Sequence, residues 1–349
     1  MTNYIGLNAH SKTCTFVVLD ALGRQIAFQE IKTGEPEILK FVESVGGKKE
    51  LVFEEGNLSK WLYAILRDKV DRLVVCDPVF VNRRLGPKDD YPDALHLAQQ
   101  LRGNFLIPVF HQDGFFSELR AVVSAYLDLV RDTVRFQNRY KALFRAQATE
   151  TDGKRIYSDR ERIKEIKSDS NRFIAETLFD QIEFFREQKK EFLRRFMEYE
   201  KTNPQIAALA SIPGIGEVRA CVIAAVVLSP ERFPNKYKFW AYCTLVKYDC
   251  RSGGVSYGKK NTRGNRVLKN VFMGAAKSVL AGDGFFRKYY DALREKGVDH
   301  AAAKKNVARK IAAIALASMR KGTRYKENYE NQRKSQTVNS SLKHSVVEC

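Results

Sequence analysis

The sequence predicts an α/β domain with a mixed sheet followed by a mainly α-helical region, and three observations support this division. Within the first hundred residues, short β-rich runs alternate with helical patterns, which favours a sheet with helices packed on it. Residues 117–201 then carry apolar side chains at helical intervals among many charges. Beyond residue 206, glycine-rich turns separate further apolar helical stretches.

The α/β region begins with a predicted hairpin and continues with strands and helices in alternation. Asp20-Ala21-Leu22-Gly23 is a turn sequence between two β-rich runs, and Asp77-Pro78 ends a later run. The predicted elements are strands at 4–7, 15–19 and 25–29, a helix at 35–45, a strand at 50–53, a helix at 59–68, a strand at 72–76 and a helix at 91–102. This order indicates one mixed sheet with helices packed against it.

The helical region divides into a long helical hairpin and a C-terminal part. A break near 151–159 separates two amphipathic stretches, which are typical of a spacer or a dimerising coiled coil; a basic arm that grips nucleic acid is the alternative. Further helices are expected at 218–228, 266–280 and 301–319, with a flexible glycine-rich loop at 251–264. The predicted regions are an α/β domain at 1–115, a helical linker at 116–205, a C-terminal domain at 206–322 and a disordered tail at 323–349.

The composition indicates a polyanionic partner. Lys and Arg number 60 against 41 Asp and Glu, and each phosphate neutralised by this excess of +19 contributes affinity without sequence dependence. No apolar run reaches transmembrane length and no secretory pattern opens the sequence, so we expect a cytoplasmic protein without a membrane partner. The cysteines and histidines lack zinc-ligand spacing, which favours free thiols in a reducing compartment.

A group of carboxylates marks the first candidate site. Asp90 and Asp93 lie three residues apart at the start of a predicted helix, so they share one face with Cβ atoms about 5–6 Å apart. Glu54 and Glu55 end a predicted strand, where the site residues of α/β sheets tend to lie. Mg²⁺ prefers oxygen ligands and would relieve the repulsion between such carboxylates. Alternatively, the two aspartates only cap the helix.

A serine beside two glycines marks the second candidate site. In Arg251-Ser252-Gly253-Gly254 the small residues let a phosphodiester approach the backbone, and the Ser252 hydroxyl has the chemistry to attack phosphorus. Nearby cations would steady the phosphate: Arg251, Lys259, Lys260, Arg263 and Arg266. The simpler alternative is an ordinary surface loop.

A glycine-rich turn resembles the turn of a helix-hairpin-helix unit. Ser211-Ile212-Pro213-Gly214-Ile215-Gly216 precedes an apolar helix, where Gly214 and Gly216 would let backbone N–H groups approach a phosphate. A plain turn before a buried helix is the alternative, and the excess of cations favours phosphate binding.

Several short motifs occur in order along nearly the whole chain. In the N-terminal half they are Phe53-Glu54-Glu55-Gly56-Asn57-Leu58-Ser59-Lys60-Trp61-Leu62-Tyr63, Val74-Val75-Cys76-Asp77-Pro78 and Asp90-Tyr91-Pro92-Asp93-Ala94. In the C-terminal half they are Ile212-Pro213-Gly214-Ile215-Gly216, Phe239-Trp240-Ala241-Tyr242-Cys243, Ser252-Gly253-Gly254 and Thr262-Arg263-Gly264-Asn265-Arg266. Together they resemble the DEDD insertion-sequence transposases of the IS110 type, a family that includes the pilin-gene invertase. The specificity lies in the ordered combination, because each motif alone is common.

The resemblance implies both a fold and an activity. It implies a RuvC-like N-terminal domain with a ribonuclease H-like fold, whose four acidic residues bind Mg²⁺, and a C-terminal domain with a nucleophilic serine. By position, Ser252 matches the nucleophile and three residues match the acids: Glu54 (with Glu55 as its fallback), Asp90 and Asp93. The implied activity is RNA-guided DNA recombination, with donor and target DNA and a structured guide RNA from the same element as partners. Because strand exchange needs several active sites, we expect a homo-oligomer, a dimer or a tetramer.

The first acidic position departs from the family pattern. Where the family has Asp-Val-His, this sequence has Asn8-Ala9-His10. The amide carbonyl of Asn8 can coordinate Mg²⁺ but carries no charge. One alternative function is therefore an inactive nucleic-acid-binding derivative. Another is a RuvC-like nuclease or junction resolvase that uses water instead of Ser252.

Overall fold

The computed structural model describes residues 1–78, 89–151, 153 and 155–326. The chain divides into two compact units, Met1–Asp113 and a second unit that begins at Gly114. Each unit has hydrophobic cores of its own, α/β in the first and mainly helical in the second.

The first unit is built on a five-stranded mixed sheet. Its strands are β1 (Thr2–Ala9), β2 (Thr13–Leu19), β3 (Gln25–Lys32), β4 (Lys48–Glu54) and β5 (Arg72–Cys76), in the sheet order β3-β2-β1-β4-β5. The first three strands form an antiparallel meander, whereas β4 runs parallel to β1 and β5 runs parallel to β4. The predicted mixed sheet is confirmed, and the carboxyl ends of β1, β4 and β5 lie at the same edge.

Helices cover both faces of this sheet. α1 (Glu35–Ser44) and α2 (Ser59–Leu66) pack on one face, and α3 (Asp90–Arg102) packs on the other. Gly6 in β1 permits the close approach of α3, because a Cβ at this position would overlap the backbone carbonyl of Ala94. This contact holds the first turn of α3 beside the carboxyl end of β1.

The second unit begins with a long helical hairpin. α4 (Phe115–Arg145) and α5 (Asp169–Thr202) run antiparallel, and a separate small core at the far end includes Tyr140, Phe144 and Phe179. At the root of the hairpin, side chains from both helices lie in the same core as the C-terminal helices. The segment predicted as a linker and the C-terminal domain therefore share one hydrophobic core.

Further helices pack around the root of this hairpin. Within the described residues they are α6 (Pro204–Ala210), α7 (Glu217–Val227), α8 (Lys236–Tyr242), α9 (Arg266–Val279), α10 (Phe285–Glu295) and α11 (His300–Lys321). Residues 220–225 of α7 are all buried, which explains its continuous apolar sequence. The mainly helical character of this region is confirmed, although α6, α8 and α10 were not predicted.

The glycine-rich stretch that was predicted as a flexible loop is instead a β-hairpin. β6 (Lys247–Ser252) pairs antiparallel with β7 (Val255–Asn261), and Gly253-Gly254 forms the turn. The backbone φ angles are +55° at Gly253 and +80° at Gly254, a combination that a tight two-residue turn requires and that glycine adopts at low cost. The prediction of a loop was wrong because it ignored this turn signal.

The C-terminal end of the described chain is packed. The backbone N–H of Tyr325 donates to Ser211 Oγ at 2.8 Å, and its ring stacks near Phe286. Tyr325 therefore belongs to the folded domain, beyond the predicted domain end at 322; the rest of the predicted disordered tail, from 327 on, lies outside the described residues. Among the described helices, none is long and apolar enough to cross a membrane.

Candidate functional site

The ends of β1 and β4 place two predicted metal ligands on one face of the sheet. Side chains alternate along a strand, so Asn8 shares the face of Gly6, which contacts α3. Likewise Glu54 shares the face of Val52, which packs in a cluster with α3. Because β1 and β4 are adjacent and parallel, both residues lie at the same edge of the sheet.

Asp90 joins Asn8 at this edge. The Asn8 amide donates through Nδ2 to Asp90 Oδ1 at 3.1 Å, and His10 Nε2 lies 3.0 Å from the same oxygen. The Asp90 side chain is 38% exposed, so its carboxylate stays accessible from solvent. Sequence reasoning did not identify the contact of His10, which lies just beyond the end of β1 at Ala9.

Glu55, the fallback for Glu54, points to the other face of the sheet and is already paired. His111 Nε2 lies 2.5 Å from Glu55 Oε2, and the His111 ring packs 5.3 Å from the Tyr63 ring of α2. Glu54 pairs directly with Cys76 across β4 and β5, so it shares the face of Cys76, which packs against α3. Burial, with a smaller contribution from the Glu54 carboxylate, raises the pKa of Cys76 to about 12. The geometry therefore favours Glu54 over Glu55 as the partner of Asp90.

Asp93 lies one turn further along α3 and is exposed. Its i,i+3 spacing from Asp90 is as predicted, but among the described residues no three His, Cys, Asp or Glu side chains come together as a metal-holding group. The structure thus brings Asn8 and Asp90 into contact and places Glu54 and Asp93 in the same region without closing a ligand set.

The donor chemistry at this edge fits a divalent cation. Asn8, Glu54 and Asp90 offer the carbonyl and carboxylate oxygens that Mg²⁺ prefers. Thr15 stands opposite Asn8 on β2, and its Oγ1 is buried with no hydrogen-bond partner among the described residues. An unsatisfied buried hydroxyl beside these oxygens indicates a polar site adapted to a further ligand.

Ser252 lies at the tip of the β6–β7 hairpin. It pairs with Val255 directly before the glycine turn, and every residue of β7 is exposed. Three predicted phosphate ligands lie on the same hairpin: Arg251, Lys259 and Lys260. Of these, Arg251 and Lys259 lie 3.8 and 4.0 Å from Asp249, in solvent-exposed ion pairs of small energy.

The motif that follows the hairpin fixes its root. Thr262 Oγ1 donates to the Ala241 carbonyl at 2.8 Å, and the Asn265 backbone N–H donates to the Tyr242 carbonyl at 2.7 Å. Asn265 also caps α9 through its side chain, with Arg266 as the first helical residue. The remaining basic residue of the motif, Arg263, is exposed between these two anchors. The root is therefore rigid, while the tip with Ser252 extends into solvent.

The predicted phosphate-binding turn has a mixed outcome. Gly214 has φ +81° and packs so closely on α9 that a Cβ would lie 2.7 Å from the Ala275 carbonyl, which gives this glycine a packing role. Gly216 is the N-cap of α7, has open space around it, and makes no side-chain hydrogen bond to cap the helix. Gly216 is exposed at the start of α7, whereas Gly214 is half-buried, and phosphate binding at this turn stays a prediction.

The comparisons with known proteins match both halves of the chain. Residues 5–148 match a DEDD-type transposase model of IS110 elements, and residues 206–291 match the model described as the transposase IS116/IS110/IS902 family. A relative from Streptomyces coelicolor, described as an insertion element IS110 uncharacterized 43.6 kDa protein, is 31% identical over 126 residues. That match covers 36% of this chain and 31% of the relative, so the chain spans about a third of the relative's length.

The class indicated by these matches is that of the DEDD-type transposases. Their N-terminal domain has a ribonuclease H-like α/β fold, which agrees with the mixed sheet flanked by helices in the first unit. The chain belongs to the IS110 family of transposases.

Proposed function

We propose that the protein is a DNA transposase that exchanges strands through a transient bond between Ser252 and DNA. The observation that carries the proposal is the position of Ser252 at the exposed tip of a hairpin with a rigid root. A two-stranded ribbon that is exposed on both faces is at best marginally stable alone, so a partner that surrounds it is expected. The major groove of duplex DNA is wide enough to admit such a ribbon.

In the proposed chemistry, the free energy of the broken phosphodiester bond is kept in a phosphoserine bond. Ser252 Oγ forms a bond to phosphorus while the bond from phosphorus to one deoxyribose oxygen breaks. The serine proton passes to a base, and the departing oxygen takes up a proton to become a hydroxyl. In the second step a hydroxyl of another strand attacks the phosphoserine and releases Ser252, so no nucleotide cofactor is required. Arg251 and Lys259 stabilise the negative charge on the phosphate.

The acidic edge would hold Mg²⁺ through Asn8, Glu54, Asp90 and Asp93. The bound ion would supply positive charge to a phosphate held at this edge. In this arrangement His10 orients the Asp90 carboxylate, because its Nε2 contacts the oxygen that also accepts from Asn8. For Asn8 to offer its carbonyl to the ion, the amide must rotate and give up its hydrogen bond to Asp90.

The proposed partners are donor and target DNA, a structured guide RNA and further copies of the chain. The formal charge of +19 supports binding to nucleic acid, and the family resemblance supports the guide RNA. A dimer or tetramer would supply several serines. Exposed large apolar side chains on the α4–α5 hairpin fit an interface between copies: Val134, Phe173, Ile174 and Phe184.

A second candidate function, an inactive nucleic-acid-binding derivative, is favoured by the Asn8–Asp90 hydrogen bond. An aspartate at position 8 would repel Asp90 unless a cation lay between them, whereas the Asn8 amide bonds to Asp90 directly. Asn8 thus stabilises the edge in the absence of metal.

The deciding experiment looks for a protein–DNA adduct on a denaturing gel. Purified full-length protein is incubated with its element's RNA, donor and target DNA and Mg²⁺, alongside Ser252→Ala and, as a matched control, Ser256→Ala on the neighbouring strand. We expect an adduct that Ser252→Ala abolishes and Ser256→Ala keeps. DNA cleavage that persists in Ser252→Ala would instead indicate a nuclease or resolvase that uses water.

The Asn8→Asp variant separates the two candidate functions. An adduct from Asn8→Asp but not from the native chain would establish a disabled derivative. No adduct from either protein, with DNA binding intact, would overturn the serine mechanism.

A further inference from the structure

A group of cations gathers at the root of the β6–β7 hairpin, at the end away from Ser252. Arg309 of α11 donates through Nε to the Leu245 carbonyl at 2.9 Å, which places its guanidinium two residues before Lys247, the first residue of β6. Lys305 precedes Arg309 by four residues and shares its face of α11.

A third element contributes to the same group. Lys269 lies in the first turn of α9, which packs directly against α11. Burial, and then the nearby charges of Lys247, Arg309 and Lys269, lower the pKa of Lys305, whereas Asp299 opposes this effect. Four cations from three elements thus lie near the root of the hairpin, and the charges of Lys247, Arg309 and Lys269 all act on Lys305. We call Lys247, Lys269, Lys305 and Arg309 the root cluster.

Like charges held together by the fold cost free energy until an anion compensates them. Arg309 is fixed by its bonds to Leu245 and Asn306, so the cluster cannot disperse by moving this side chain. Lys305 and Lys269 are half-buried, which weakens screening by water and strengthens their attraction for an anion. Lys247 is exposed and leaves the cluster open on the hairpin side.

We propose that the root cluster binds a backbone phosphate of the DNA strand that Ser252 attacks. This inference rests on the proposed function. Lys247 and Ser252 are the two ends of β6, five residues or about 17 Å apart along the strand. At about 3.4 Å per nucleotide along one strand of duplex DNA, the bound phosphate lies roughly five nucleotides from the one attacked. The hairpin would then carry a phosphate contact at each end, which fixes the register of the DNA against Ser252.

The test is the salt dependence of binding to a target-containing DNA duplex. The triple variant Lys247→Gln, Lys269→Gln, Lys305→Gln is compared with a control of equal charge change in the same unit, Lys277→Gln, Lys288→Gln, Lys296→Gln, at three exposed lysines. The slope of log K against log salt should fall by about 0.9 for each lysine that neutralises a phosphate. Because the root cluster binds one phosphate, we expect a decrease of about 0.9 in the first variant and a clearly smaller one in the control.

Two further measurements keep the outcome decisive. Lys305→Arg, which keeps the charge, should retain the native slope, and thermal unfolding should show that the triple variant is folded. Equal slopes for the native protein and the triple variant, or equal losses in both triple variants, would overturn the proposal. So would a slope change seen with the guide RNA but not with DNA.

The failure of this proposal is distinguishable from the failure of the serine mechanism. Ser252→Ala should lose the adduct and keep the native salt slope, whereas the triple variant should show the reduced slope and still form the adduct at saturating DNA.

Discussion

Two candidate sites differ in how firmly the fold holds them: the acidic edge of the first unit, formed by Asn8, Glu54, Asp90 and Asp93, and the β6–β7 hairpin of the second unit, which carries Ser252. Asn8 and Asp90 are held by a sheet and by a helix that packs on it at backbone distance, so their positions depend on a buried core. Ser252 projects from that part of the second unit in which almost every side chain is exposed, and only the root of its hairpin is anchored.

The difference teaches what each chemistry requires of the fold. Ligands that share a cation must keep their spacing, which rigid neighbouring elements provide. A serine that must reach a phosphate within a large polyanion needs an accessible tip, and its orientation comes from what it binds. Substitutions should therefore affect stability at the acidic edge and activity at the hairpin.

The largest expected effect is at the contact between β1 and α3. Gly6→Ala should destabilise the first unit by about 3 kcal/mol, because the new Cβ overlaps backbone atoms that cannot move aside. Denaturant unfolding followed by the fluorescence of Trp61, in a Trp240→Phe background, measures this unit alone. Gly56→Ala, where nothing lies within 4 Å, is the control. A loss below about 1 kcal/mol would mean that α3 is free to shift.

At the hairpin, the effect should appear in activity rather than in stability. Gly254→Ala places an L residue at φ +80°, at a cost of about 1–2 kcal/mol, so the turn should open in a large share of molecules. We expect adduct formation to fall about tenfold with little change in the unfolding temperature. A parallel loss of thermal stability would show that the hairpin belongs to the core, and the comparison between the two regions would fail.

A smaller effect of opposite sign is expected at Thr15. Thr15→Val removes a buried hydroxyl that has no partner among the described residues, so stability in the presence of a chelator should rise by about 1 kcal/mol. Added Mg²⁺ should then stabilise the variant less than the native protein if the hydroxyl supports the cation site. A destabilised variant would show that the hydroxyl is satisfied in solution.

The smallest effect concerns the turn between β2 and β3. The backbone N–H of Arg24, supported by its side chain and by the Leu22 N–H, holds the pKa of Asp20 below its usual value. A lowered pKa stabilises the fold above the unfolded pKa of about 3.9, and this contribution is lost as pH falls through the lower folded value. Asp20→Asn should therefore flatten the acid limb of the stability curve. An unchanged limb between pH 5 and 2 would contradict the assignment.

Much of the first unit could be predicted from the sequence because its signals are local. The alternation of β-rich runs and helical patterns predicted every strand and helix from β1 to α3, since most of them bury apolar side chains, whereas β3 is largely exposed and was found from the turn before it. The pairing of Glu55 with His111 could not be predicted, because it joins residues 56 positions apart through the fold. Only the structure therefore separates Glu54 from Glu55.

The second unit was harder to predict for different reasons. Gly253-Gly254 is a turn sequence that indicates a β-hairpin, but the polar composition of the segments on either side of it favoured a loop. The root cluster was not predictable as a whole. The spacing of Lys305 and Arg309 is readable from the sequence, but Lys247 and Lys269 join them only through tertiary packing.

The α4–α5 hairpin has a hydrophobic core at each end, so the length of the two helices fixes the distance between the cores. α4 contains 31 residues and is about 46 Å long, more than one turn of a DNA duplex. Because the far core closes independently of the root, the length between them can change without loss of either. Adding one turn to both helices would extend the arm by about 5.4 Å while keeping the same two cores.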